Sequence, residues 1–322
     1  MTDDAVVRAT GLGKDYGART AVDGVDLEVA PGQVFGFLGP NGAGKSTTIG
    51  MLCTVIRPTR GRAEVAGHDV LRSPDEVRQN IGLLFQESTL DADLTAVENL
   101  RFQAELYGLP RRHARTRIDT MLDLVDLADR RDDPVRLFSG GMCRRLEIAR
   151  GLLHTPKVLF LDEPTTGLDA QTRVAIWEHL HRMREEAGLT VFLTTHHLSE
   201  AENCDRIAII DRGGVVAEGP PAALKAVVGT DLVTLRTGDD QAALRAVRTR
   251  FGLDGDVGAE GLRIRAANGA HLVPRLCAEL TVPVHSVVVT EPTLDEVFLH
   301  HTGRTIREPG PRTAGPAVGS RS

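Results

Sequence analysis

Eight consecutive residues carry the most specific chemistry in this chain. Gly39-Pro40-Asn41-Gly42-Ala43-Gly44-Lys45-Ser46 fits the spacing G-x-x-x-x-G-K-[ST]. The glycines let the backbone curl so that successive N–H groups point inward, as a chain of phosphates requires. The helix that must open there adds its own partial positive charge. Lys45 neutralises β- and γ-phosphates, and the Ser46 hydroxyl is a hard oxygen ligand suited to Mg²⁺. Lys45 is the more informative because the other lysines are only Lys14, Lys157 and Lys225.

Two further runs bear on the same chemistry. Val158-Leu159-Phe160-Leu161-Asp162-Glu163 is an apolar strand ending in two acids. Such a strand delivers them to the sheet edge where ligands bind in open α/β folds. Asp162 would hold Mg²⁺ through water, and Glu163 would face an attacking water as general base or water-orienter. The bland alternative is a strand that ends in a polar turn before Pro164. Leu137-Phe138-Ser139-Gly140-Gly141-Met142 precedes a helix with apolar Leu146, Ala149, Leu152 and Leu153. Ser139 is placed as its N-cap, and Gly140 and Gly141 bare backbone N–H groups at its start. Two readings stand: an ordinary capped helix, or a second anion-binding terminus. One nucleotide does not need two such termini from one small domain, so the second reading requires another copy of the chain.

The elements that must position these residues follow from periodicity. Short apolar runs at 34–38, 81–84, 158–161, 191–193 and 206–210 read as buried strands bounded by turn residues. Between the second and third, no strand is evident. Residues 96–107, 112–125 and 142–153 read as helices, an insertion into an α/β core at about 88–153. Residues 170–187 form a long helix, with Asp169 as N-cap and Gly188 as its stop. From 229 the rhythm changes to β-α-β-β-α-β, with strands at 232–236, 256–259, 262–265 and 285–289 and helices at 241–251 and 270–280. That order predicts a small ferredoxin-like domain over 229–302, after a cassette at 1–228. Residues 303–322 are rich in Pro, Gly, Arg and Ser, and are expected to be a disordered tail.

Composition excludes several classes. The 322 residues carry a net charge of -6, which gives no basic footprint for nucleic acid. No apolar run approaches a membrane span, and residues 1–9 do not read as a leader, so membrane work would need a separate partner. Cys53, Cys143, Cys204 and Cys277 form no CxxC pair, and a reduced compartment is the simplest expectation.

Taken in order along 6–220, these motifs resemble the ATP-binding cassette (ABC) transporter nucleotide-binding subunit. Residues 39–46 match its Walker A loop, Gln86 its Q-loop and 138–142 its signature. Residues 158–163 match Walker B with its glutamate, Gly167-Leu168-Asp169 the D-loop, Thr194-Thr195-His196 the switch histidine, and Tyr16 the aromatic that stacks on adenine. The resemblance implies an α/β fold: a P-loop NTPase (RecA-like) cassette with an inserted helical subdomain and a small α+β C-terminal domain. It implies an ATPase acting as a translocase with ATP and Mg²⁺. Lys45, Glu163 and His196 would be catalytic, and Ser46, Gln86 and Asp162 would hold the metal. Tyr16, Gly39, Asn41, Gly42, Gly44, Lys45, Ser46, Thr47 and Gln86 would bind nucleotide in one copy. Ser139, Gly140, Gly141 and Asp169 would complete the site from a second, head-to-tail copy. The implied partner is a separate transmembrane permease, and the implied place is the cytoplasmic face of a bacterial cell membrane.

One departure narrows the branch. The family's usual signature has Leu before Ser-Gly-Gly and Gln after it; this chain has Phe138 and Met142. Met there, basic residues following at Arg144 and Arg145, and a C-terminal Glu291-Pro292-Thr293-Leu294-Asp295-Glu296-Val297-Phe298-Leu299 pattern are similar to the daunorubicin/doxorubicin-resistance ATP-binding subunits of ABC-2 exporters. That resemblance implies efflux of a drug or secondary metabolite. The alternatives are a lipid, polysaccharide or sodium exporter, an importer, a nucleotide-binding regulator without turnover, or an ABC ATPase that moves no cargo.

Overall fold

The computed structural model describes residues 5–258 and 260–303. Tertiary contacts divide the chain into two units, one running to Glu218 and one over Gly219–Thr305. The first unit starts with antiparallel strands β1 (Val7–Tyr16) and β2 (Arg19–Val29), followed by β3 (Val34–Leu38) and helix α1 (Lys45–Leu52). Next come β4 (Arg60–Val65), β5 (His68–Asp69), α2 (Pro74–Asn80) and β6 (Ile81–Leu84). Three helices are inserted after β6: α3 (Ala96–Leu106), α4 (Arg111–Leu124) and α5 (Gly140–Leu152). The core resumes with β7 (Val158–Asp162), α6 (Ala170–Ala187), β8 (Thr190–Thr195), α7 (Leu198–Ala201), β9 (Arg206–Asp211) and β10 (Gly214–Gly219).

Two sheets build this unit. The six-stranded sheet has the order β10-β9-β3-β8-β7-β6. Strands β9, β3, β8, β7 and β6 pair in parallel. Strands β3, β7 and β8 are buried at every residue, which explains why they read as unbroken apolar runs. Phe35, Phe37 and Phe160 all pack on Phe192 with ring centroids 5.2–5.9 Å apart. This core fixes the C-terminal ends of β3, β7 and β8, where the phosphate loop, Asp162 and the loop to His196 emerge. The second sheet, β2-β1-β4-β5, is antiparallel. The expected parallel strands and inserted helices are present, while the second sheet goes beyond the strands read from periodicity.

The second unit contains α8 (Pro221–Val228), β11 (Asp231–Thr237), α9 (Asp240–Ala246), β12 (Gly255–Gly258), β13 (Gly261–Ala266), α10 (Gly269–Glu279), β14 (Val284–Thr290) and α11 (Leu294–Thr302). Its sheet order is β12-β13-β11-β14, with every pairing antiparallel, the ferredoxin-like arrangement. Val233, Leu235, Leu262 and Ile264 pack with Leu244, Val247 and Leu276 as a separate core. The expected boundary at 228/229 is corrected to Glu218/Gly219, because α8 packs on α11 inside the second unit. Residues 291–299 have a local structural role as well. Thr293 and Glu296 form a capping box, and Leu294, Val297 and Phe298 are buried. The expected tail, beyond Gly303, lies outside the described residues.

Candidate nucleotide site

The loop between β3 and α1 is closed by its own lysine. Lys45 Nζ donates to the carbonyls of Gly39 (2.8 Å) and Pro40 (3.3 Å), so the ammonium sits inside the ring of backbone. Gly44 adopts φ +113, where a side chain is strained, and a Cβ there would stand 2.7 Å from the Ala21 carbonyl. Glycine is therefore demanded at this position by both backbone and space. Around the loop is a cavity of about 340 Å³ lined by Arg19, Ala21, Asn41, Gly42, Gly44, Lys45, Ser46, Thr47, Gln86 and Glu163. Its lining is mostly polar donors at a helix start, which suits a polyphosphate.

Glu163 is the hub of the charged groups. Its Oε1 lies 3.3 Å from Lys45 Nζ and 3.1 Å from His196 Nδ1. Its Oε2 accepts from Gln86 Nε2 (3.4 Å) and Thr166 Oγ1 (3.3 Å). Burial alone would push the Glu163 carboxyl up. The close approach of His196 and the charges of Lys45 and His196 outweigh it and hold the pKa at about 2. Asp162, one residue earlier, is buried, and its Oδ1 accepts from Thr194 Oγ1 (2.5 Å). Thr194 also holds the Glu163 N–H through Oγ1 (3.0 Å) and its carbonyl (3.2 Å). Both acids of the β7 end are thus fixed from β8.

The helix start at Ser139 is a separate place. Ser139 Oγ accepts from the Met142 N–H (3.3 Å), as a cap should. Gly140 is open to within 3.6 Å of Leu168, whereas a Cβ on Gly141 would run into Thr172. Asp169 caps α6, accepting from Thr172 N (2.9 Å) and Thr172 Oγ1 (2.7 Å). None of Ser139, Gly140, Gly141 and Asp169 lines the cavity at Lys45. Tyr16 does not line it either; it is 49% exposed with Lys14 Nζ 5.1 Å from its ring centre.

The structure therefore joins Asn41, Gly42, Gly44, Lys45, Ser46, Thr47, Gln86 and Glu163 in one cavity, reaches Gly39 and His196 through contacts of Lys45 and Glu163, and leaves Tyr16 and the residues at Ser139 and Asp169 outside. Ser46, Gln86 and Asp162 offer hydroxyl, amide and carboxylate oxygens, a donor set that fits a hard divalent cation. Sequence reasoning missed Arg19 and Ala21, which come from the unrecognised strand β2. It also missed that Thr194 clamps both acids, although its position two residues before His196 gave a signal. The buried cysteines Cys53 and Cys204 are not candidates for chemistry, because burial pushes their thiols up.

A profile of the ABC transporter family matches residues 22–166. The chain is 44% identical to the daunorubicin resistance ATP-binding protein DrrA3 of Streptomyces coeruleorubidus, over 95% of this chain and 99% of that protein. It is 38% identical to the linearmycin resistance ATP-binding protein LnrL of Bacillus subtilis, over 94% and 100% respectively. Among solved structures it resembles cbiO1 of Clostridium perfringens, part of the ABC transporter complex cbiONQ, with a TM-score of 0.66 and 27% identity over 78% of this chain and 97% of that one. A dimeric ATP-binding cassette in a post-hydrolysis state, bound to ADP and Pi, matches with a TM-score of 0.60 and 29% identity over 66% and 98%.

Proposed function

The chain belongs to the ABC transporter family of ATP-hydrolysing, ATP-binding subunits, and from that premise we propose that two copies close head to tail around two Mg·ATP and power efflux of a drug or secondary metabolite through a separate membrane subunit. The observation that carries the reading is the convergence of Lys45, Gln86 and His196 on Glu163 at the mouth of the phosphate loop. Resistance names among the relatives support the cargo class. Among the described residues no helix is long and apolar enough to cross a membrane, which fits a peripheral subunit at the cytoplasmic face.

The residues divide the work as follows. Backbone N–H groups of the loop and Lys45 bind the β- and γ-phosphates. Ser46, Gln86 and Asp162 would hold Mg²⁺, which when bound draws charge from the phosphate oxygens. Tyr16 stacks on adenine. Glu163 orients the attacking water and accepts its proton, and His196 contacts the γ-phosphate. A carboxylate held near pKa 2 is a poor base at neutral pH. Phosphate oxygens compete for Lys45, so nucleotide binding removes one of the cations that depress Glu163 and raises its basicity. Ser139, Gly140, Gly141 and Asp169 of the second copy complete the γ-phosphate environment.

Glu163→Gln tests the assignment. It should retain ATP binding while hydrolysis falls about a hundredfold or more, the loss expected when a general base is replaced by a near-isostere that cannot take a proton. Equal turnover of the two proteins, measured as phosphate release, would remove Glu163 from the mechanism. Cargo is tested separately, by daunorubicin accumulation in cells that express the chain with its membrane subunit. Unchanged accumulation beside intact ATP hydrolysis would reassign the cargo and leave the ATPase standing.

A further inference from the structure

Helix α5 carries a buried guanidinium that the scheme above does not use. Arg144 is 7% exposed. Its Nε donates to the Pro164 carbonyl (2.7 Å) and its Nη2 to the Asp162 carbonyl (3.2 Å). Its Nη1 donates to the Phe85 carbonyl (2.7 Å) and to Glu147 Oε2 (3.0 Å). A buried cation with four acceptors in reach is held in one geometry, because the guanidinium is planar and loss of any partner is costly.

The identity of the acceptors gives this clamp its meaning. Asp162 and Pro164 flank Glu163, whose φ of +49° lies in the left-handed region. A non-glycine residue there costs on the order of 1–3 kcal/mol unless its surroundings hold it. Arg144 holds the carbonyl on each side, and Thr194 holds the N–H between them. The third carbonyl precedes Gln86. One turn further along α5, Glu147 accepts from the Thr89 N–H (3.0 Å), and Arg150 donates to the Thr89 carbonyl (2.8 Å). The same helix therefore grips both ends of the segment that carries Gln86 as well as the turn that carries Glu163. That helix begins at Ser139, Gly140 and Gly141.

We propose that Arg144 is a positioning residue that ties the helix presenting Ser139, Gly140 and Gly141 to the backbone around Glu163 and before Gln86. Contact of this helix with the nucleotide of a second copy then sets the geometry of the hydrolytic group in the first copy's own site. The inference rests on the head-to-tail reading given above. Arg144 passes on small shifts of α5 because its planar fork bridges carbonyls from two loops, which a lysine's single ammonium on a flexible stem does not reproduce. Misplacing a reacting group by 1 Å costs about a hundredfold in rate, so a modest shift suffices.

The test uses the full-length chain with Mg·ATP and three variants. Arg144→Gln removes the fork, and Arg144→Lys keeps the charge. Arg117→Gln is the control, since Arg117 also serves two carbonyls, Leu152 (2.9 Å) and Leu153 (3.3 Å), but holds neither the Phe85 nor the Glu163 segment. ATP affinity should stay within about twofold of the parent in all three, because the phosphate loop is untouched. In Arg144→Gln, kcat should fall about tenfold or more with KM unchanged, and the Hill coefficient for ATP should drop toward 1. Arg144→Lys should show the same loss of cooperativity at a higher melting temperature, and Arg117→Gln should lose melting temperature alone. Parent-like kcat and Hill coefficient in Arg144→Gln, or in Arg144→Lys if the first variant does not fold, would overturn the proposal. An equal kcat loss in Arg117→Gln would overturn it too. A parent chain that hydrolyses ATP without cooperativity, and that stays monomeric with ATP as Glu163→Gln, would instead overturn the head-to-tail reading itself.

Discussion

Two helices in this chain begin at glycine-rich turns, and they are built differently. At α1 the turn takes a positive φ that only Gly44 tolerates, its ammonium is drawn inward, and Glu163, Gln86 and Arg19 gather around a cavity. At α5 the cap is satisfied by Ser139, Gly141 is packed against Thr172, and the residues at the turn line no part of that cavity. The first has its charges preassembled around a cavity, and on the proposed reading it binds phosphate within one chain. The second has an open approach at Gly140, and on the proposed reading it serves a ligand that a second copy brings to it. A nucleotide site divided between two such places, as proposed, would make binding a property of one chain and hydrolysis a property of two.

Breaking the comparison at its extremes should give the largest effects. Lys45→Ala should weaken ATP binding by the single chain about tenfold to a hundredfold, the range for losing a hydrogen bond to a charged group. Gly140→Ala should leave that binding and the fold unchanged, since the added Cβ meets nothing closer than Leu168 at 3.6 Å. Its methyl would stand where a second copy's phosphate approaches, so hydrolysis should fall about tenfold or more. Isothermal titration and phosphate release measure the two quantities. If Gly140→Ala weakens single-chain binding, or leaves turnover intact, the division between the two turns is wrong.

The division was legible in the sequence at the level of motifs but not of contacts. The strands of the parallel sheet could be read because burial on both faces leaves unbroken apolar runs such as Val34–Leu38. The antiparallel sheet could not. In β1 the alternation is interrupted by register shifts between Ala9 and Leu12 and again around Lys14, so its period of two is lost. Arg19 went unnoticed with it, since it starts the partner strand β2. The boundary at 228/229 follows the change of rhythm from 229, and only the packing of α8 on α11 moves it to Glu218/Gly219. Arg144 acts chiefly through backbone groups of segments remote in sequence, and no spacing rule reports that.

Acid should sharpen the comparison from the stability side. The Glu163 carboxyl has its pKa lowered from 4.5 to about 2, against the pull of burial, by His196 and Lys45. A carboxyl whose pKa is lower in the folded state contributes stability above its unfolded pKa and loses it as pH falls through the folded value. The cluster at α1 should therefore contribute about 2 kcal/mol at neutral pH, after allowance for screening, and lose it between roughly pH 4.5 and 2. Denaturant unfolding of the parent and of Glu163→Gln across that interval isolates this contribution from the other acids. The stability difference between the two should shrink as pH falls. Curves that stay parallel would show that Glu163, Lys45 and His196 do not form the cluster in solution.

Arg19 should give the smallest effect and the finest cut. It lines the α1 cavity from an exposed position on β2, where water screens its charge. An exposed charge pair contributes about 0.2–1 kcal/mol, so Arg19→Ala should weaken ATP binding by at most about fivefold. Salt should erase the difference, because the screening length falls from about 10 Å at 0.1 M to about 3 Å at 1 M. Arg136 is the matching exposed cation three residues before Ser139. Arg136→Ala should leave single-chain ATP binding unchanged at any salt, since the phosphate it could meet belongs to another copy. A salt-sensitive loss of single-chain affinity in Arg136→Ala, or none in Arg19→Ala, would mean that charge near a glycine-rich helix start matters irrespective of what converges on it. The distinction between a site complete within one chain and one awaiting a partner would then have to rest on the buried groups alone.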